Sequence, residues 1–147
     1  MDSGIYIAIA AGFIVWLSLF FYTRRLKKGK KYGNAITIDK QQIAAKWQEI
    51  ENTFNMGGNS RLKSAIMEAD KLADFVLKAK GVAGNTMGER MKNARNKFGN
   101  YDDYNNLWFA HKVRNNIAHE TMHDLSFAEA KKAMEYFKKA LKELGVL

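Results

Sequence analysis

Apolar residues return every three or four positions in successive stretches of the chain, and polar or glycine-rich words separate those stretches. Ile43, Trp47, Ile50 and Phe54 form the first stripe, opened by Asp39 with Gln42 three residues on and broken by NMGGNS at 55–60. Leu62, Ile66, Ala69, Ala73 and Val76 form the second, with Leu72 and Leu77 beside it, Ser60 as its cap and Gly81 as its stop. Thr86, with Glu89 three residues later, opens a short helix through about Lys97. After the break FGNYDD, Asp102 or Asp103 caps a helix over roughly 103–119, whose core stripe is Phe109, Ala110, Val113 and Ile117. Ser126 and Glu129 open the last helix, which Gly145 closes. In it Phe127, Ala130, Met134, Phe137, Leu141 and Leu144 share one side, while Lys131, Lys132, Glu135, Lys138, Lys139 and Lys142 cover the other. Spacings of three and four align side chains on one helical face. A Ser, Thr or Asp followed three residues later by Glu or Gln satisfies the free amides of a first turn, and a glycine past the last turn takes the left-handed conformation that ends a helix.

The first 23 residues carry a different pattern. From Ser3 to Thr23 no residue is charged, and the core reads GIYIAIAAGFIVWLSLFFY. That is about 20 residues, the length a helix needs to cross about 30 Å of hydrocarbon. Tyr6, Trp16, Phe20, Phe21 and Tyr22 include aromatic residues near the ends, where the bilayer interface favours them. A cleavable signal peptide would carry basic residues before its apolar run and a small-residue cleavage site after it. Here Asp2 precedes the run and TRRLKKGKK follows it, so the expectation is a retained single-pass anchor over residues 1–23. All six nearby bases, Arg24, Arg25, Lys27, Lys28, Lys30 and Lys31, lie C-terminal to the run. Bases are retained on the cytoplasmic side, which predicts the N-terminus outside the cell membrane and the C-terminal domain in the cytoplasm. The same cluster would contact anionic lipid headgroups of the bilayer. Residues 24–38 then read as a basic juxtamembrane linker, and 39–147 as the cytoplasmic bundle.

Composition sharpens this picture in two places. The chain has 147 residues with neither proline nor cysteine. Missing prolines remove the commonest helix breaker, and few segments alternate with period two, so the expected class is all-α, an N-terminal transmembrane helix followed by a compact four- to five-helix bundle. The net charge of +9 resembles a nucleic-acid signature, yet more than half of it resides in the six bases of residues 24–31. The remainder is only mildly basic, so charge alone does not point to RNA or DNA.

There is no Cys/His set with zinc spacing, no Walker-type phosphate loop and no His-Glu-x-x-His word, and no metal or cofactor is expected. Gly81, Gly84 and Gly88 could bring backbone amides to a phosphate, and turn or helix-terminating roles explain them equally well. Met87, Met91 and Met134 read as core filler, Trp108 as a packing or dimer residue, and His123 as solvated. The one dense polar constellation is LWFAHKVRNNIAHE, residues 107–120. On that helix His111, Asn115 and His119 stand at i, i+4 and i+8, with Arg114 alongside, on a different side from the apolar stripe.

The run from Arg114 through Asn115, Asn116, Ile117 and Ala118 to His119 resembles the R-x4–6-H motif of the HEPN superfamily (higher eukaryotes and prokaryotes nucleotide-binding), in which a polar residue often follows the arginine. EADKLADFVLKAKG, TMGERMK and LWFAHKVRNNIAHE resemble words of small bacterial proteins of this type, and the likeness spans about residues 60–144. It implies metal-independent RNA cleavage in active members, by a homodimer whose two motifs meet in one cleft. Carried over residue by residue, Arg114 would hold the phosphate, His119 would move a proton and Asn115 would orient the imidazole or the phosphate. His111 is an additional candidate outside the motif. The dimer face expected is the one bearing Trp108, His111 and Arg114. Two functions from different classes stay open: a membrane-anchored endoribonuclease, and a non-catalytic HEPN-type module that binds a nucleotide or an unidentified protein partner at the inner face of the membrane.

Overall fold

The computed structural model describes Trp16 and residues 37–119 and 124–147. The expected anchor (save Trp16), the basic cluster from Arg24 to Lys31, Glu120 and His123 lie outside the described residues. Among the described residues there are no strands, and no helix is long and apolar enough to cross a membrane. Five α-helices build one bundle: α1 (Lys40–Asn55), α2 (Asn59–Ala79), α3 (Met87–Asn93), α4 (Tyr101–His119) and α5 (Phe127–Glu143), with a 3₁₀ turn at Arg95–Lys97 after α3.

Each helix begins where its amides find an acceptor. Asp39 Oδ1 accepts from the amides of Gln41 and Gln42 at 2.9 and 3.4 Å. Thr86 Oγ1 accepts from Glu89 N at 3.2 Å, while Glu89 Oε2 reaches back to the amide of Asn85 at 2.7 Å. Ser126 Oγ accepts from Glu129 N at 3.1 Å. Two starts differ from the sequence expectation. Gly58, not Ser60, precedes α2: Gly57 and Gly58 both take positive φ, and the Gly58 carbonyl already receives the amides of Arg61 and Leu62. Asn100 caps α4 through its Oδ1, which accepts from Asp103 N at 2.8 Å, so Asp102 and Asp103 lie inside the first turn. The third helix stops at Asn93, short of the expected Lys97, because the chain tightens into the 3₁₀ turn.

The ends of α2 and α5 share one device. Val82 N bonds the Leu77 carbonyl and Val146 N bonds Leu141, each across a glycine at positive φ, Gly81 and Gly145. The valine after each glycine is buried, the apolar contact that accompanies this kind of helix stop.

Packing centres on α2, which touches each of the other four helices. Its stripe from Leu62 to Leu77 is buried as the spacing predicts, and so are Ile43, Trp47, Ile50 and Phe54 of α1. Ile66, Leu77, Met91, Leu107, Phe137 and Leu141 are essentially sealed, each worth roughly 1.5–3 kcal/mol on burial. Two aromatic positions depart from the expected stripes. Phe109 is exposed and packs edge-on against Tyr136, while Leu107 fills the core in its place; Ile117 is only half-buried. Phe127 is exposed and stacks on Phe54, with ring centroids 5.7 Å apart.

Ion pairs tie the helices at their rims. Lys138 of α5 reaches Glu51 of α1 at 2.6 Å, and Lys139 Nζ lies 2.6 Å from the buried Asp103 of α4, whose carboxylate raises the lysine's pKa. Between α1 and α2, Glu68 takes Lys71 at 2.8 Å and Lys46 at 3.5 Å. The Lys71 hydrogen bond is the main reason the Glu68 carboxyl sits below its ordinary pKa, with Lys46 adding to it against the cost of burial. A depressed carboxylate pKa contributes stability above the unfolded-state value and loses it as pH falls through the folded one. Because Glu68 is about a third exposed, the effect is under about 1 kcal/mol. The expected outcome is a small loss of melting temperature in Glu68→Gln near pH 7 that disappears by about pH 3, read from thermal melts of the full-length protein.

Candidate functional site

A carboxylate buried among alanines and leucines organises the polar side of the bundle. Asp70 of α2 is 3% exposed and stands between Ala69 and Leu72, positions that face the core. A charge there requires partners, and α4 provides both. His111 Nδ1 lies 2.7 Å from Asp70 Oδ1, and Arg114 Nε lies 3.3 Å from Oδ2. One oxygen thus serves each group. The contact with the carboxylate fixes the ring through Nδ1 and turns Nε2 to the side where the first turn of α3 brings Gly88 close.

Arg114 is not fully satisfied by this arrangement. Its Nη1 donates to Asn115 Oδ1 at 3.1 Å. Its Nε is close enough to Asp70 for an ion pair, but the N–H does not point at the oxygen, and this buried atom has no hydrogen-bond partner among the described residues. The side chain is about one quarter exposed (26%). The open part of the guanidinium borders the cleft that Asp70 and His111 also line.

The neighbouring arginine serves a different purpose. Arg90 of α3 is buried and grips Asp74 with both arms of its fork, Nε to Oδ1 at 2.6 Å and Nη2 to Oδ2 at 2.8 Å. Its Nη1 donates to the Gly84 carbonyl. This staples α3 and the preceding loop to α2. Gly84 has φ +152°, and a Cβ there would stand 2.6 Å from Arg90 N, so only glycine lets the loop lie this close. The glycines considered from the sequence as a phosphate cradle therefore do structural work at positions 81 and 84, while the cap residues Thr86 and Glu89 engage the amides of Glu89 and Asn85.

Asp70, Asp74, Arg90, His111, Arg114 and Asn115 line one open cleft of about 410 Å³, closed on its far side by Asn85 to Gly88. With Lys71 at its rim, three permanent cations and two carboxylates line the cleft, and Lys71 is itself paired with Glu68. A second cleft of about 390 Å³, lined by Trp108, Phe109 and Lys112, adjoins it and shares His111 and Asn115.

Of the residues singled out in the sequence, the structure gathers Arg114, Asn115 and His111. His119 stands apart: it is the last residue of α4, exposed, and does not line the cleft. Five residues beyond Arg114, it is turned about 140° around the helix. Asp70 and Asp74 were not among the sequence candidates, although two acids four residues apart beside an apolar stripe were a readable signal. Among the described residues no three of His, Asp or Glu gather closely enough to hold a metal ion. No family model, no curated protein and no solved structure matches the chain.

Removing the carboxylate that holds the two α4 side chains tests this description. Asp70→Ala should lower the unfolding free energy of the full-length protein by about 3 kcal/mol, toward the low end for a broken buried ion pair, since Arg114 can swing to water. Denaturant titration measures it. A loss below about 0.5 kcal/mol would mean that Asp70 is not the organising charge.

Proposed function

We propose that residues 39–147 are a helical bundle with an HEPN-type core over about 60–144 that takes the phosphodiester backbone of RNA into the Asp70–His111–Arg114 cleft, and that residues 1–23 tether it to the inner face of the membrane. The observation that carries the first part is Arg114, a guanidinium about one quarter exposed at the wall of the cleft and ion-paired to Asp70 through Nε only. A phosphate oxygen can meet the open part of the guanidinium, which then makes a charge-assisted bond that neutral ligands cannot match. Arg90 cannot play this part, because Asp74 already occupies its fork. The resemblance of residues 114–119 to the R-x4–6-H motif agrees with the same choice of arginine.

One observation favours cleavage over binding alone: an imidazole oriented by a carboxylate lies beside the phosphate-holding arginine. In that second reading the RNA 2′-hydroxyl attacks the adjacent phosphorus, a histidine takes its proton, and the bond from phosphorus to the 5′-oxygen breaks. The 5′-oxygen is protonated as it leaves, and the products are a 2′,3′-cyclic phosphate and a 5′-hydroxyl. Arg114 stabilises the charge that builds on the phosphorane oxygens. His111 serves as proton carrier within one protomer, whereas His119, exposed at the end of α4, serves only where a homodimer brings it to the cleft of the other copy.

One assay separates the outcomes. Full-length protein in detergent is mixed with a labelled single-stranded RNA in EDTA, and both retention and cleavage are followed. Binding is expected for the unaltered chain and a loss of at least about tenfold for Arg114→Ala, the weight of one charge-assisted phosphate contact. Cleavage abolished by His111→Ala or His119→Ala, with binding retained, establishes the nuclease and its histidine. No binding by the unaltered chain contradicts the proposal.

The tether rests on the uncharged run from Ser3 to Thr23 and the six bases that follow it. A cysteine introduced at Ser3 is expected to react with an impermeant maleimide on intact cells, and one added after Leu147 only after lysis. The reverse pattern overturns the orientation.

A further inference from the structure

We infer that the cleft beside the phosphate site, walled by Trp108 and Phe109, is a nucleobase pocket, which makes single-stranded RNA rather than duplex the ligand of this domain; the inference rests on the phosphate-binding reading above and assigns its neighbouring subsite. Four rings follow one another along α4 at spacings of three and four. Tyr101, Tyr104, Trp108 and His111 have successive centroid distances of 6.2, 6.3 and 6.2 Å. The row runs from the exposed start of the helix to the imidazole that both clefts share. Trp108 is half-buried, so part of its surface stays open to the cleft, and Phe109, 36% exposed, lines it beside Trp108 and meets Tyr136 edge to face.

Cations accompany these rings. Lys132 Nζ sits 5.0 Å from the Phe109 centroid and 5.7 Å from that of Tyr136, Arg95 lies over Tyr101 and Tyr104, and Lys112 lines the pocket itself. An aromatic surface with cations around it, adjoining a cleft with a partly exposed guanidinium, matches a nucleotide part by part. The base has two π-faces, and its phosphate carries the charge. Only an unpaired base can enter such a pocket, which excludes a duplex interior. A second copy of the chain fits the same surface less well. Lys112 and Lys132 make this surface basic, and among the described residues no acidic one lines it to meet a second basic copy of itself.

The test compares a short fluorescein-labelled single-stranded RNA with an abasic strand of the same length and phosphate count, both bound to the full-length protein in detergent. Trp108→Ala should weaken RNA binding about tenfold, the effect of losing one stacked base, and leave the abasic strand unchanged. Trp108→Tyr should restore most of the loss, while Trp108→Leu, which keeps apolar bulk without a comparable π-face, should not. Arg114→Ala should weaken both strands equally. Equal affinities of unaltered protein and Trp108→Leu for RNA overturn the base pocket while leaving the phosphate site standing. A dimer that dissociates on Trp108→Leu, seen by sedimentation, with RNA affinity intact assigns the surface to a second copy instead. Failure of the unaltered protein to bind either strand removes the phosphate site and this inference together.

Discussion

A buried carboxylate fixes the polar half of this bundle. Asp70 sits among buried alanine, leucine, isoleucine and valine residues of its helix, where an unpaired charge would cost several kcal/mol. The fold meets that demand by bringing α4 to α2 in the one register that places His111 against one oxygen and Arg114 against the other. The interaction therefore does two things. It locks the rotation of α4, a helix whose apolar residues spread too far around its circumference to set it alone, and it leaves a guanidinium partly exposed at the cleft. The same contact that positions the helix creates the site.

The two arginines of the cleft illustrate how geometry separates structural from functional charge. Arg90 spends its fork on Asp74 and its remaining arm on a backbone carbonyl, and Gly84 is held against the α3 backbone by that arrangement. Arg114 meets its carboxylate at an angle that forms no hydrogen bond and stays partly open. Two residues with the same chemistry, lining the same cleft, thus differ in what they can offer a ligand. The adjoining aromatic pocket lies on the Arg114 side, through Asn115 and His111, so the available cation and the available rings converge.

Much of the fold was legible because it rests on period and punctuation. The stripes of α1, α2 and α5 and the caps Asp39, Thr86 and Ser126 are written in residues whose preferences are local. The misreadings fall where local signals compete. Ser60 is a good cap residue, but two glycines just before it start the helix first. In α4, Phe109 and Leu107 are both apolar, and only the partner helix decides which faces inward. The polar word around Arg114 was visible from its composition, whereas Asp70 was not singled out, since its significance is a tertiary fact: forty-one positions separate it from His111. His119, picked out by motif, does not line the cleft, since five residues along α4 turn it about 140° from Arg114.

If Arg114, and not Arg90, takes the phosphate, the pair of arginine Nε–H resonances reports it most directly, in ¹H–¹⁵N spectra of the full-length protein during titration with a short single-stranded RNA, assigned by Arg114→Lys and Arg90→Lys variants. The Arg114 Nε–H signal is expected to shift progressively while that of Arg90 stays in place. An Arg114 signal that remains unmoved at saturating RNA, or an Arg90 signal that moves in its stead, would contradict it.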